Sequence, residues 1–128
     1  MDKNVKGYKK LEVWQKAHEF VLLTYKNTKC FPPYELFGLT SQIRRAVISI
    51  AANIVEGQAS NSKRDFLNFL NMSNRSLVEA EYLLETALDL SYLSRDNYKQ
   101  LDLLRISVGN LLNGLIRSIR NKLDTRYT

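Results

Sequence analysis

Residues that carry chemistry are scarce in this chain. It has one cysteine, one histidine, one tryptophan, two prolines and five glycines in 128 residues. The lone Cys30 excludes an internal disulfide and suits a reducing compartment. Neither Cys30 nor His18 has partners at metal-ligand spacing, which argues against a zinc site. The Glu-x-x-His pairs of carboxylate-bridged metal bundles are missing, as are Gly-x-Gly-x-x-Gly, a phosphate loop and Gly-x-Ser-x-Gly. Cys30 lies beside prolines, not at a helix N-terminus that would make it a reactive thiolate. His18 reads as a surface or packing residue. No catalytic, cofactor or metal residue is expected, and an enzyme is the least favoured class.

Long apolar runs are also missing. None approaches the roughly 20 residues that span a bilayer. The opening MDKNVKGYKKLEVW has no apolar stretch that could act as a signal peptide. The expectation is a soluble, cytoplasmic protein with no membrane partner. Hydrophobic content of 45% and charged content of 25% suit one globular helical domain with one sizeable core. No segment alternates with period two for long enough to form a strand. There is no internal repeat and no low-complexity segment.

What is present is helical periodicity. Residues 1–9 read as a flexible basic arm, 10–123 as the domain and 124–128 as a frayed tail. The first helix is expected over about 10–29, on Leu11, Trp14, Ala17, Val21 with Phe20, and Tyr25. Pro32 and Pro33 end it. A short turn over Tyr34–Phe37 leads to a second helix over about 37–57, on Leu39, Ile43, Ala46, Ile50 and Ile54. Gly57 is placed to cap its end in the left-handed conformation. Ser62 and Asp65 open a third helix to about 91, on Phe66, Leu70, Ser73, Leu77, Ala80, Leu84 and Leu88. Ser94 and Asp96 open a fourth, about 94–122, on Tyr98, Leu101, Leu104, Val108, Leu111, Leu115 and Ile119. Gly109 and Gly114 in its interior suggest close backbone approach. Four such helices joined by short loops predict an all-α, up-down-up-down antiparallel four-helix bundle.

Leu39 to Gly57 is the most patterned stretch. Beside its apolar stripe, Gln42, Arg45, Ser49, Asn53 and Glu56 form a polar one, spread over roughly 80° of the helical wheel. Buried unpaired, such groups would cost about 1–3 kcal/mol each, more for Arg45 and Glu56. No nucleophile–base pair follows from their spacing. The expected role is a structural network inside the bundle or at a subunit interface. The far side carries Ile48, Ala51, Ala52 and Val55, with Arg44 its one charge, so this helix is expected to meet protein on two sides.

Charge is the second signal. The chain carries +6, with a pI near 9.5. Residues 1–29 hold seven Lys and three acids, and residues 105–126 hold four Arg and one Lys against one acid, net +4 each. Antiparallel packing makes the first and last helices neighbours, so these segments could merge into one surface for phosphates. Glu79, Glu81, Glu85 and Asp89 form an acidic run that reads as a solvated face. The nucleic-acid candidates are Arg44, Arg105, Arg117, Arg120 and Lys122. A protein–protein scaffold or adaptor that binds no nucleic acid is the alternative.

Several spaced pieces resemble the bacterial 23S ribosomal RNA intervening-sequence proteins, a four-helix-bundle family. They are Leu11-x-Val13-Trp14-Gln15-Lys16-Ala17, Phe31-Pro32, Glu35, Phe37-Gly38-Leu39, Gln42-Ile43-x-Arg45-Ala46, Ser49-Ile50 and Asn53-Ile54-x-Glu56-Gly57. Phe66, Phe69-Leu70 and Ser76-Leu77-x-Glu79 also fit. The resemblance covers about residues 8–93 and reaches the fourth helix only by pattern. It implies a ring-like homopentamer. Similar accessory proteins of diversity-generating retroelements bind nucleic acid and a reverse transcriptase, so the resemblance implies RNA or DNA as a partner. Family members often carry a proline near the Ser-Ile-x-x-Asn segment. Here Ala51-Ala52 stands instead, which predicts a less interrupted helix. Five copies of +6 would carry +30 and concentrate the field on one face or in a channel.

Overall fold

The computed structural model describes residues 7–124. A 3-10 turn, Gly7–Lys10, leads into α1, Glu12–Thr28. A second 3-10 turn, Pro33–Glu35, precedes α2, Leu39–Gln58. Then follow α3, Lys63–Asp89, and α4, Arg95–Asp124. Each helix packs on its chain neighbours, and α1 also packs on α4, which closes a square four-helix bundle. The described residues contain no strand.

Local chemistry sets the ends. Ser62 Oγ accepts from the Asp65 amide at 3.1 Å, and Ser94 Oγ accepts from the Asn97 amide at 3.1 Å, so both expected N-caps form. The start of α2 is capped from outside the helix: a Glu35 carboxylate oxygen accepts from the Leu39 amide at 3.2 Å. The end of α3 turns on Ser91, at φ 63°. There the Tyr92 amide donates to the Ala87 carbonyl and the Ser91 amide to that of Leu88, both at 2.9 Å. This is the Schellman arrangement, with serine where glycine is usual.

The core lies between all four helices. Phe20, Ile43, Ile50, Ile54, Leu70, Leu84, Leu101 and Leu112 are its large, fully buried members. Each contributes about 1.5–3 kcal/mol through removal from water. The expected α2 stripe is buried throughout. On α1, Ala17, Phe20 and Val21 are buried as expected, while Val13, Thr24 and Thr28 are buried where Trp14 and Tyr25 were expected. Two threonines count as polar in the sequence pattern. Thr28 enters the core because its hydroxyl donates to the Thr24 carbonyl at 2.9 Å. Leu11, Trp14 and Tyr25 pack half-buried at the edge. On α4, Leu112 and Ile116 are buried while Leu104, Leu111 and Leu115 are half-buried, because the helix turns a broad arc toward both α1 and α3.

Three glycine and arm expectations change. Gly57 lies inside α2 with no positive φ, so it is not a left-handed cap. A Cβ there would stand 2.7 Å from the Phe66 ring and 3.0 Å from Phe69 Cβ, so glycine admits the close passage of α3. Gly109 has Leu77 Cδ2 3.2 Å from such a Cβ, whereas Gly114 faces open space, so close approach explains only the first. Residues 7–9 of the expected arm are structured by the first 3-10 turn. Residues 1–6 of the arm and 125–128 of the expected tail lie outside the described residues. With Ala51-Ala52 in place, α2 runs uninterrupted.

Candidate functional site

The antiparallel order sorts charge along the bundle. The start of α1, the end of α2, the start of α3 and the end of α4 meet at one end. Cut at the helix midpoints, this end comprises residues 7–20, 49–75 and 110–124. It carries nine Lys and Arg against five Asp and Glu, net +4. The other end, residues 21–48 and 76–109, has seven of each.

The expected nucleic-acid candidates fall into two groups. Arg44 belongs to the framework between α1 and α2. Its Nε donates to Thr28 Oγ1 at 2.9 Å, and its guanidinium carbon lies 4.7 Å from the centre of the Tyr25 ring. Arg105 is likewise committed, to Glu81 at 3.0 Å and Asp102 at 2.8 Å, with only 18% of its side chain exposed. A guanidinium already held by carboxylates or an aromatic face must give up those contacts to meet a phosphate, which sets these two apart from the other three candidates. Arg117 and Arg120 are exposed and border a shallow recess with Asn110, Asn113 and Ile116. Lys122 is exposed at the same end and has a contact of its own.

Lys63 and Arg64, outside the expected set, form the first turn of α3 and are exposed at the same end as Arg117 and Arg120, with Lys9 and Lys10 of the N-terminal turn. The usable signal was their place directly after the α2–α3 loop, which an up-down-up-down order puts beside the chain's basic first and last segments.

The polar stripe of α2 divides as well. Ser49 and Asn53 enter the α2–α3 seam: Ser49 Oγ lies 2.8 Å from Ser76 Oγ, and Asn53 Nδ2 donates to the Ser49 carbonyl at 2.8 Å. Next to them Ser73 Oγ donates to the Ile50 carbonyl at 2.7 Å. Small hydroxyls suit a seam where two helices lie close. Gln42, Arg45 and Glu56 are exposed instead, and among the described residues no hydrogen bond joins them to this network. Long charged side chains do not fit that seam. The groove lined by Gln42, Arg45, Ser49, Ser76 and Glu79 contains two hydroxyls and no histidine or cysteine beside them.

At the other end, Tyr92 O–H donates to Glu35 Oε2 at 2.9 Å and its oxygen lies 3.3 Å from that of Tyr34. The hydrogen bonds to Tyr34 and then Glu35 raise the Tyr92 phenol above its ordinary value, since they favour the protonated form. Tyr98 is raised too, first by burial and then by Asp102. His18 is exposed and Cys30 is a free, exposed thiol. Among the described residues no cluster of three or more His, Cys, Asp or Glu could hold a metal ion. Among the described residues no helix is long and apolar enough to cross a membrane.

Comparison with known proteins places this geometry. The family model described as 23S rRNA-intervening sequence protein matches residues 9–114. A crystal structure of a protein of unknown function from the S23 ribosomal protein family of Bacteroides thetaiotaomicron is similar, with a TM-score of 0.75 and 29% identity. That similarity covers 82% of this chain and 95% of the other. No curated protein matches. Neither match is described by a reaction. With a match that spans three helices and most of the fourth, and a neighbour of similar fold, the chain belongs to the 23S rRNA-intervening sequence protein family.

Proposed function

We propose that this protein is a non-enzymatic homo-oligomer that binds nucleic acid, RNA or DNA, at the basic end of its bundle. The observation that carries this is the segregation of charge: net +4 at one end, with Arg117, Arg120, Lys63 and Arg64 exposed there, against none at the other. Phosphate contacts need positive charge more than fixed geometry. Exposed apolar side chains support self-association. Phe37 is 94% exposed on the α1–α2 loop, and Val78, Tyr82, Leu103 and Ile106 are exposed on α3 and α4. Two unlike apolar patches on one chain suit head-to-tail contacts, which close into a ring when the rotation allows. A pentamer, as the family resemblance implies, would align five basic ends in one cytoplasmic particle.

A salt series tests the reading. Affinity for a nucleic acid should fall steeply with salt, and Arg117→Gln with Arg120→Gln should reduce the log–log slope by about 2. Arg95→Gln with Lys99→Gln, at the other end, should leave it unchanged. Binding that ignores salt, or equal slopes in the two double variants, would overturn the basic-end assignment. A light-scattering mass of one subunit at every concentration would overturn assembly. The same exposed Phe37 and Tyr82 favour the second reading, an adaptor for another protein. Salt-insensitive capture of a protein partner without nucleic-acid affinity would establish that instead.

A further inference from the structure

We propose that Tyr8, Trp14 and His18 form a stacking platform for the unpaired bases of single-stranded nucleic acid. This rests on the nucleic-acid reading above and gives it a substrate class. The three rings lie in a row at the basic end. Tyr8 meets Trp14 edge-on, with centroids 5.1 Å apart at 67°. Trp14 and His18 are stacked, 4.9 Å apart at 11°.

The row runs from the edge of the core outward: Tyr8 and Trp14 are half-buried, and Trp14 packs against the core. Val13, Ala17 and Phe20 take the buried positions of this stretch, while Trp14 is half-buried and His18 exposed. It is nevertheless held in place. The Leu11 amide donates to the Tyr8 carbonyl at 3.1 Å, and Gln15 Nε2 donates to the Lys9 carbonyl at 2.8 Å, which pins the turn that presents Tyr8. Trp14 and His18 are one helical turn apart, so α1 itself sets their spacing. The ridge continues one turn further to Leu22, 59% exposed.

Indole stacks on the exposed imidazole, and the next residue along the ridge is the exposed Leu22. A flat, weakly polar ring is the kind of group that stacks on such a face. The surroundings choose which ring: Lys9 and Lys10 are exposed beside the row, at the end with net +4. Flatness and a phosphate chain together describe a nucleotide strand. Bases in a duplex are stacked on each other and offer only their edges, whereas single strands offer their faces. The platform therefore selects single strands, and ring stacking serves RNA and DNA alike.

Trp14 is the chain's one tryptophan, so its emission reports on the site directly. The full chain is titrated with oligothymidylate, oligouridylate and a duplex, each of about twelve nucleotides, a length within the usual site sizes for single-strand binding. Both single strands should quench Trp14 and the duplex should not; the two single-strand arms rank DNA against RNA. His18→Ala, an exposed substitution that leaves the core intact, should weaken single-strand binding roughly five- to one-hundred-fold. His18→Phe should restore it. If mobility shifts show binding while Trp14 emission and the His18→Ala affinity stay unchanged, the platform is wrong and nucleic-acid binding stands. Equal quenching by the duplex also overturns it. No binding by either readout overturns both.

Discussion

The two ends of this bundle are built from the same four helices but use their charges differently. At the balanced end, two arginines serve the framework. Arg44 spans α1 and α2 through Thr28 and Tyr25, and Arg105 joins α4 to α3 through Glu81. Glu35 accepts from both the Leu39 amide and Tyr92, tying the start of α2 to the α3–α4 loop. At the basic end, Arg117, Arg120, Lys63 and Arg64 stand exposed, and packing there rests on shape, with the Phe66 ring lying over Gly57. The difference teaches where to look for a polyanion. A basic residue closed in by partners contributes stability, and one left in water contributes field.

Substitutions can break or sharpen this contrast. The largest effect is expected from Gly57→Ala. The added methyl meets Phe66 and Phe69, so the basic end should lose about 1–3 kcal/mol in urea unfolding. Two changes should stabilise by about 1 kcal/mol each, one at either end. Gly114→Ala removes the helix penalty of a glycine whose surroundings are open. Ser91→Gly relieves a positive φ while keeping the Schellman hydrogen bonds. A higher melting temperature checks both, and a lower one in either would show that the site needs its present side chain.

Arginines give a smaller, direct comparison. Arg105→Met should cost about 0.5–1 kcal/mol, because its ion pairs are only partly shielded from solvent. Arg117→Met should stay within about 0.5 kcal/mol of the parent. Equal losses would mean that the two ends are not electrostatically distinct. The mildest effect concerns Tyr92. Its pKa is raised in the folded chain, so the stabilisation is full below the ordinary tyrosine range and is lost as pH rises through the folded value. Melting temperatures compared at mildly and strongly alkaline pH should fall less in Tyr92→Phe than in the parent.

Much of the fold was legible because apolar spacing and caps are local. Ser62 and Ser94 sit where their hydroxyls meet free amides, and the α2 stripe is buried as its spacing implies. The α1 stripe held in its middle, at Ala17, Phe20 and Val21, but its end was missed because Thr24 and Thr28 look polar in a pattern, although Thr28 satisfies its own hydroxyl along the helix. Gly57 looked like a terminator because the rings that demand a glycine arrive from the next helix. The candidate site was half legible. Arg117 and Arg120 could be chosen from charge alone. That Arg44 and Arg105 are held by neighbours could not be read without Thr28, Tyr25, Glu81 and Asp102 at their sides. Lys63 and Arg64 gained meaning only once the helix order put them beside the chain's basic ends.

By itself the sequence determined four amphipathic helices, their turns, the absence of metal and nucleophile motifs, and an excess of positive charge. Those properties follow from neighbours within a few residues or from simple counting. Only the tertiary structure decided which cations are held by partners, which polar groups of α2 enter the seam, and that a tyrosine, a tryptophan and a histidine form one row. Contacts such as Arg44–Thr28, Arg105–Glu81 and Ser49–Ser76 join side chains distant in sequence, which only packing brings within reach, and the ring row depends on how the N-terminal turn folds back on α1.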